Sequence, residues 1–404
     1  MTRSESQSTP TKQPSIGEIF RTYGPTYREK YAKQMHPEQL QAMAAIETCR
    51  TAKAGSTIYR CQQCGGYHHT PQSCGNRHCP TCQGANARRW LDAQLEKLLP
   101  CVYFMMTFTV PASIRSFIRS HPKECYRAML VSAKHAITTL AKNPKYVGSA
   151  NVGITGVLHT WGRDLNYHPH THWIVPGGAL SQDGEEWLPS RVDFFVPVTA
   201  ASKIYRAKFA AEMKRCGLLA KIPSKAWKQP WNVNCKAVGD GRRALGYLAP
   251  YVFRVAIGNR RIVNVEPGPD GKGLVTFTYR KTGSNRLRKM TVTAEEFIRR
   301  FLQHVLPRGF QKVRHYGFAH PKSKTDWEQL SMLVTVTLNL VYVLTVQAKP
   351  EPQRTIFACP DCGGELRFFD RTPSERERQR AANQENVSAF AKDFEAFRGV
   401  PNSS

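Results

Sequence analysis

Two Cys-x-x-Cys motifs constrain this chain more tightly than any other feature of its sequence. Cys61 and Cys64 form the first motif, Cys79 and Cys82 form the second, and fourteen residues lie between them. Each motif makes a tight turn that points two thiolates at one position, and four thiolates complete a tetrahedral zinc site with no open coordination position. Structural zinc contributes about 10–16 kcal/mol to the folding of small modules. The spacing therefore predicts one structural zinc site formed by these four cysteines.

Further cysteines and histidines leave the number of zinc ions open. Cys49, Cys74 and His78 could ligate a second ion, or they could be small buried thiols and a packed imidazole. A separate Cys-x-x-Cys motif at Cys359 and Cys362 offers only half of the ligands of a metal site. It is either a metal-binding knuckle or merely a turn. The N-terminus lacks the apolar core of a signal peptide. Twelve cysteines in such a chain indicate metal ligation in a reducing compartment rather than disulfides.

The charge of the chain bears on its partners more than on its fold. The 404 residues include 58 Lys and Arg against 30 Asp and Glu, a formal net charge of +28. Between Lys203 and Arg261, fourteen basic residues stand against Glu212 and Asp240. This imbalance favours a nucleic-acid partner over a generic solvated surface.

No membrane partner is expected, because the apolar stretch 330–346 contains Thr, Asn and Ser and falls short of about 20 strongly apolar residues. We interpret it as a buried helix or a strand pair.

Hydrophobic periodicity predicts an α+β chain built in several parts. Helices are expected at residues 16–35, 37–50, 83–99, 123–141, 202–216 and 295–304, and strands at 101–110, 151–161, 170–175, 194–198 and 231–238. The expected architecture is an antiparallel sheet flanked by helices, preceded by a small zinc-binding domain of helices and loops. The chain is expected to begin with a disordered segment (residues 1–15), a helical zinc-binding and DNA-binding domain (16–100) and a sheet core with a tyrosine helix (101–265). A basic extension of strands and helices (266–350) and a Cys-x-x-Cys knuckle with a charged tail (351–404) follow.

The stretch LHTWGRDLNYHPHTHWIVPGG, residues 158–178, contains four histidines and then an apolar run. Side chains alternate between the two faces of a strand, so His170 and His172 project from the same face. Two imidazoles at this spacing can chelate one divalent cation through neutral ring nitrogens. With a turn centred between Leu165 and Asn166, His159 lies opposite His172 in an antiparallel pair. His159 is therefore the expected third ligand, and an acidic or amide side chain elsewhere is its rival.

Tyr247 and Tyr251 lie four residues apart in YLAPYVFRVAIGNRRI, so both phenols share one face of a helix. Basic residues surround the pair and are candidate DNA contacts: Arg242, Arg243, Arg254, Arg260 and Arg261. Such tyrosine pairs are most often core or interface side chains, but here they coincide with a metal-capable histidine pair and a basic chain. A phenol with a pKa of about 10 is a poor nucleophile at neutral pH, yet it can attack a phosphate whose charge a cation withdraws. Nicking and rejoining of DNA is the resulting hypothesis.

These two motifs resemble those of the two-tyrosine HUH transposases, which move insertion sequences by a rolling-circle route. NRHCPTCQ is similar to the N-terminal transposase zinc-binding region of that family, and MTFTVP is similar to the first strand of its nuclease core. FLQHVLPRGFQKVRHYG is similar to its C-terminal portion. The resemblance covers most of residues 40–320 in the expected order. It implies an HUH nuclease core of antiparallel sheet and flanking helices that cuts and transfers single-stranded DNA.

The resemblance also implies a role for each motif. His170 and His172 match the histidines that bind Mg²⁺ or Mn²⁺. Tyr247 and Tyr251 match the nucleophiles that form 5′-phosphotyrosine links and leave a free 3′-hydroxyl. The implied partners are single-stranded DNA at the ends of the element and target DNA, with a host helicase for unwinding. The implied location is the bacterial cytoplasm, at the nucleoid.

Two positions depart from the pattern of the family, and two alternative functions stay open. Thr171 stands where a large apolar residue is usual, and Pro250 between the tyrosines removes a helical hydrogen bond. A kink there favours one-tyrosine over two-tyrosine catalysis. One alternative is a plasmid or phage replication initiator or relaxase with the same chemistry, although the sequence has no helicase-like GxxxxGK[ST] loop. The other is a non-catalytic zinc-dependent nucleic-acid-binding protein, which leaves the histidines and tyrosines unexplained.

Overall fold

The computed structural model describes residues 13–253, 256–280, 286–340 and 357–384. Its helices are α1 Ile16–Tyr31, α2 Pro37–Thr48, α3 Gly84–Leu95, α4 Arg115–Ser120, α5 Pro122–Ala141, α6 Val198–Arg215, α7 Lys225–Lys228, α8 Arg242–Phe253, α9 Ala294–Leu302 and α10 Trp327–Thr337. Its strands are β1 Ser56–Cys61, β2 Tyr67–Pro71, β3 Tyr103–Thr109, β4 Ile154–Trp161, β5 Tyr167–Pro176, β6 Gly178–Leu180, β7 Trp187–Pro189, β8 Val233–Ala237, β9 Ile262–Glu266, β10 Leu274–Arg280, β11 Leu287–Thr293, β12 Val313–Tyr316, β13 Phe357–Ala358 and β14 Glu365–Thr372. The mixed α+β class with antiparallel sheets is as the sequence predicts.

One predicted strand is not formed, and other predicted segments lie partly outside the described residues. Residues 194–198 do not form a strand, because Pro197 is the N-cap of α6 and the helix begins at Val198. The apolar stretch begins within α10, and its residues 341–346 are outside the described part of the chain. Most of the start that was expected to be disordered, residues 1–12, and the end of the charged tail, residues 385–404, are also outside it. Among the described residues, no helix combines the length and the apolar character needed to cross a membrane.

Five antiparallel strands form the central sheet, in the order β12-β4-β5-β3-β8. Side chains of β3 alternate between its faces. Phe104, Met106 and Phe108 point to one face and are buried beneath α5 and α6 in the main core. Tyr103 and Thr107 point to the other face. The apolar alternation of β3 therefore separates a fully packed face from the face that carries the candidate site.

Helices α3, α8 and α10 cover one end of that second face. Leu245 and Leu248 of α8 pack there in one buried cluster with Val157 and Ile174 of the sheet and Leu330 of α10. Toward the other end of the same face, the strands carry histidines and threonines in place of apolar residues. Because no apolar cluster of the described residues fills that end, a cleft remains there between the sheet, α8 and the strands that follow it.

A second core joins the N-terminal helices to the later part of the chain. Strands β11, β10 and β9 form an antiparallel sheet in that order, and α9 packs on it. Phe277 of β10 contacts Phe297 of α9, with ring centroids 5.9 Å apart. Phe20 of α1 meets Phe301 of α9 edge to face at 5.2 Å. All four rings are fully buried. The first helix therefore folds against residues 262–302.

A small sheet brings the two ends of the described chain together. Its order is β13-β14-β1-β2, with all pairs antiparallel. Cys61, the last residue of β1, stands opposite Leu366 of β14. This pairing joins the cysteine-rich N-terminal segment to the C-terminal Cys-x-x-Cys motif.

Candidate active site and zinc ligands

Three histidines meet on the open face of the central sheet. His159 lies on β4, and His170 and His172 lie on the neighbouring β5. One ring nitrogen from each lies within 4.8 Å of the other two, and the Nε2 atoms of His170 and His172 are 3.1 Å apart. Three neutral imidazoles that converge in this way are a ligand set for one divalent ion. The structure thus places His159 beside the pair.

The register of β4 and β5 differs from the expected one. His159 stands opposite His170 rather than His172, which pairs with Val157. The pairing is irregular at a bulge between His159 and Trp161 in β4, and Leu165 in the connection between the strands adopts a positive φ of 66°. The strands are therefore paired two residues away from the predicted register. A shift of two residues keeps every side chain on its own face, which is why His159 still faces the pair.

Hydrogen bonds at Nδ1 orient two of the rings. The Nδ1–H of His170 donates to the backbone carbonyl of His168 at 2.7 Å. The Nδ1 of His172 lies 3.0 Å from Oγ1 of Thr107 on β3. A ring protonated at Nδ1 keeps its Nε2 lone pair for a cation. Sequence reasoning missed Thr107, because its role depends on the pairing of β3 with β5.

Burial keeps these histidines neutral. Desolvation lowers the pKa of His159 and His170 well below the usual value, and the neighbouring imidazoles lower it further. Burial also lowers the pKa of His172 to about 4. The pKa of His168 falls to about 4 through burial and the nearby Arg115. Neutral rings carry the lone pairs that metal binding requires.

Tyr247 of α8 is exposed, and it faces the histidines. Leu245 and Leu248 on either side of it are buried, and helical periodicity therefore turns Tyr247 away from the core, where it is 45% exposed. Its ring centroid lies 6.2 Å from that of His172. Tyr247 and the three histidines line one cleft of about 580 Å³.

The other predicted nucleophile, Tyr251, belongs to the same helix. Helix α8 continues through Pro250 to Phe253, so the proline does not end it. The carbonyl that loses its helical partner is that of Gly246, which is exposed to solvent and can bond to water. The side chain of Tyr251 and the whole of Arg254 lie outside the described residues, and their roles remain predictions.

Among the described members of the predicted arginine set, one lines the cleft. Arg261 donates from its guanidinium to the carbonyls of Thr278 at 2.7 Å and Arg163 at 2.8 Å. These bonds fix the side chain at the cleft wall. The other described members are exposed but do not line the cleft: Arg242, Arg243 and Arg260.

The hairpin of β10 and β11 forms another wall of the cleft. Tyr279, Arg280 and Leu287 line it, and Tyr279 stands opposite Arg288 in the hairpin. Aromatic rings beside basic groups suit single-stranded nucleic acid, whose bases stack while its phosphates meet cations. The sequence indicates that these strands are basic, but their place over the histidines depends on tertiary packing.

The cysteines form two groups of four, and neither is the predicted one. One group contains Cys49, Cys74, Cys79 and Cys82, and the other contains Cys61, Cys64, Cys359 and Cys362. The expected site of Cys61, Cys64, Cys79 and Cys82 is therefore wrong in its membership. The reason is strand pairing: β1 ends at Cys61 and pairs with β14, which follows the C-terminal motif. The four sulfurs of each group lie within 4.8 Å of one another.

Both groups fit a zinc ion. A tetrahedral ion with Zn–S bonds of about 2.3 Å places its sulfurs about 3.8 Å apart. The Sγ atoms of Cys74 and Cys82 are 3.8 Å apart in the first group. In the second, the Cys61–Cys362 distance is 3.5 Å. The backbone N–H groups of Gln63 and Cys64 donate to the sulfur of Cys61 at 3.4 and 3.5 Å, and such bonds stabilise the thiolate that zinc requires.

His78 belongs to neither group. Its buried Nε2 accepts a hydrogen bond from the backbone N–H of Leu306 at 3.1 Å. Burial, together with the nearby Arg77 and Lys312, lowers its pKa to about 3. Of the two interpretations that the sequence left open for these residues, His78 fits the packed imidazole, whereas Cys49 and Cys74 belong to a group of four cysteines.

Two family models match parts of the chain. A family model described as "Transposase zinc-binding domain", of the IS91 type, matches residues 19–110, and one described as "Putative transposase" matches residues 153–326. The first range contains the Cys49 group, and the second contains the three histidines and both tyrosines. No solved structure matches the chain.

Two relatives with curated names are transposases. "Putative transposase y4qJ" of Sinorhizobium fredii is 36% identical over 325 residues, which cover 76% of this chain and 80% of that protein. "Transposase for insertion sequence element IS801" of Pseudomonas savastanoi pv. phaseolicola is 24% identical over 304 residues, which cover 69% of this chain and 70% of that protein. The chain therefore belongs to the IS91-type family of transposases.

Proposed function

We propose that this transposase cuts and joins single-stranded DNA by attack of Tyr247 on a phosphodiester held beside the three histidines. The observation that carries the proposal is the position of Tyr247, an exposed phenol in the histidine cleft with its ring 6.2 Å from that of His172. DNA is the substrate of a transposase. The wall formed by Tyr279 and its basic neighbours favours a single strand, because unpaired bases can stack on the aromatic ring.

The proposed step is a transesterification. The phenolic oxygen of Tyr247 bonds to phosphorus and gives up its proton to water. The bond from phosphorus to the 3′-oxygen breaks, and that oxygen takes a proton. The products are a 5′-phosphotyrosine and a free 3′-hydroxyl. One phosphate ester replaces another, so the link conserves the energy of the cleaved bond, and the 3′-hydroxyl of another strand can reverse the step. Rolling-circle transposition requires this pair of reactions.

The histidines His159, His170 and His172 would hold Mg²⁺ or Mn²⁺ for this reaction. When bound, the ion would withdraw charge from the phosphate and stabilise the transition state. Nitrogen ligands favour Mn²⁺ over Mg²⁺, which prefers oxygen more strongly. Thr107 and the carbonyl of His168 hold two of the rings in place, so the site is organised before a strand arrives.

The proposal extends to the second tyrosine and to a partner. Tyr251, four residues along α8, is the candidate to act on the second end or the target while Tyr247 holds the first. The sequence has no GxxxxGK[ST] loop, so we assign strand separation to a host helicase. The reaction would take place in the bacterial cytoplasm, at the nucleoid.

Labelled single-stranded oligonucleotides from the ends of the element, incubated with the protein and Mn²⁺ or Mg²⁺, test the proposal. We expect a denaturant-resistant covalent adduct that disappears in Tyr247→Phe and falls sharply in His170→Ala and His172→Ala. Matched controls are Tyr146→Phe and His121→Ala, which lie outside the cleft and should form the adduct normally. An undiminished adduct in a Tyr247→Phe and Tyr251→Phe double variant would exclude tyrosine. Wild-type rates in the histidine variants would exclude the metal assignment.

A further inference from the structure

We propose that Cys61, Cys64, Cys359 and Cys362 bind a zinc ion of their own, which fastens the C-terminal segment to the zinc-binding domain. Cys359 and Cys362 lie outside both ranges that the family models match. The proposal does not depend on the proposed chemistry of Tyr247, because it concerns another part of the molecule.

The two motifs of this group have the same sequence pattern and the same backbone. Both read Cys-x-x-Cys-Gly-Gly, whereas Cys79 and Cys82 are followed by Gln and Gly. Gly65 and Gly363, which follow the second cysteines, have positive φ values of 73° and 76°. Only glycine adopts this conformation without strain, and it closes a tight knuckle.

The hydrogen bonds of the two knuckles also correspond one to one. The N–H of Gly65 donates to the carbonyl of Cys61 at 3.1 Å, and that of Gly363 donates to the carbonyl of Cys359 at 2.8 Å. The N–H of Cys61 donates to the carbonyl of Gly66, and that of Cys359 donates to the carbonyl of Gly364, at 2.9 and 2.7 Å. Two matching knuckles that face each other offer four thiolates to one tetrahedral ion.

The distances between the sulfurs agree with such an ion. Cys61 and Cys362 are 3.5 Å apart, and Cys64 and Cys359 are 3.8 Å apart. The Nε2 of His68 lies 3.2 Å from the sulfur of Cys359. A ring N–H at that distance would donate to the thiolate and offset part of the charge of four thiolates.

Apolar burial does not explain why the C-terminal segment stays on the domain. Large side chains of its strands remain exposed: Phe357 is 52%, Phe368 65% and Phe369 53% exposed. Cys61 and Cys359 are buried at the point where the knuckles meet. A metal ion that joins positions 295 residues apart in the sequence would add to the pairing of β1 with β14 an attachment that apolar packing does not supply, and it would close a very long loop.

The zinc content of the full-length protein, purified with a reductant, tests the proposal. We expect two zinc ions per chain, and one in the double variant Cys359→Ser and Cys362→Ser. The matched control replaces Cys216 and Cys235 by Ser. Both lie outside the two groups and are partly exposed, so two ions should remain. A Cys359 and Cys362 variant that retains the wild-type zinc content overturns the proposal.

A second measurement uses the wild-type protein, so it tests the shared zinc site even if the double variant fails to fold. Alkylation of the wild-type protein with the reductant present, mapped by mass spectrometry, should find Cys61, Cys64, Cys359 and Cys362 protected as one set. A chelator should expose all four together, and before the Cys49 group, because Cys64 and Cys362 face solvent. Since the reductant removes disulfides, protection reports the metal. Rapid alkylation of Cys359 and Cys362 while Cys61 and Cys64 stay protected would refute the shared site.

Discussion

Replacement of Thr107 by Val should weaken metal binding at the three histidines and leave the sheet intact. The Oγ1 of Thr107 lies 3.0 Å from Nδ1 of His172, and this contact orients the ring. Valine has nearly the same shape and is also β-branched, so it suits the strand. His172 is only 7% exposed, and water cannot readily replace the lost hydroxyl. The ring of His172 then loses the hydrogen-bond partner at Nδ1 that orients it.

The expected size of the effect follows from that geometry. Removal of a partner that orients a ligating histidine weakens metal affinity by about 10–100-fold, which corresponds to about 1.4–2.8 kcal/mol. The buried ring nitrogen left without a hydrogen-bond partner should also lower the free energy of unfolding by about 1–3 kcal/mol. The two effects are separable because metal affinity is measured on the folded protein.

Calorimetric titration of the full-length protein with Mn²⁺ measures the first effect, and urea denaturation without metal measures the second. The matched control is Thr109→Val, on the same strand and the same cleft wall. Thr109 stands opposite His170, whose Nδ1 already donates to a backbone carbonyl. Equal Mn²⁺ affinity in the Thr107 and Thr109 variants would refute the claim that this hydroxyl positions a ligand.

Three further substitutions probe other contacts. Phe301→Ala should lower the free energy of unfolding by about 3–5 kcal/mol in urea, because it empties a buried site against Phe20; a loss below about 1 kcal/mol would contradict the shared core. Arg261→Gln should weaken single-strand binding and reduce the slope of log affinity against log salt by about 0.7, and an unchanged slope would argue against a phosphate contact. Gly241→Ala should slow adduct formation on the order of 10–100-fold with unchanged Mn²⁺ affinity, because its φ is 81° and a Cβ would lie 2.9 Å from the ring of Tyr103; a normal rate would show that α8 does not depend on this turn.

The site was predictable from sequence where it depends on local periodicity. Alternation along β5 places His170 and His172 on one face, and this holds in the structure. The predicted register with β4 was two residues off, yet His159 still joined the pair because the error was even. An odd error would have placed the side chain of His159 on the other face of the sheet, in the main core. The placement of Tyr247 beside His172 needed the packing of α8 on the sheet, which no local pattern supplies.

The cysteine groups show why closeness in the sequence led to the wrong membership for the predicted zinc site. Two Cys-x-x-Cys motifs separated by fourteen residues predict one site, but the pairing of β1 with β14 draws the first motif to a partner near the other end of the chain. A signal for this was present in the sequence. The Gly-Gly that follows Cys64 also follows Cys362, whereas Cys82 lacks it. Motifs with the same turn residues adopt the same turn, so this repeat was the better guide to which motifs share an ion.

Strand β3 links Tyr247, the proposed nucleophile, to the histidines. Along one edge it pairs with β5, where Thr107 stands opposite His172. Along the other edge it pairs with β8. At that edge the N–H of Tyr103 donates to the carbonyl of Gly239 at 2.7 Å, just before α8 begins. One strand is thus hydrogen-bonded to the elements that carry both halves of the site. The two ends of β3 should therefore have separable effects, with changes near Thr107 acting on metal affinity and changes near Tyr103 acting on the rate of attack.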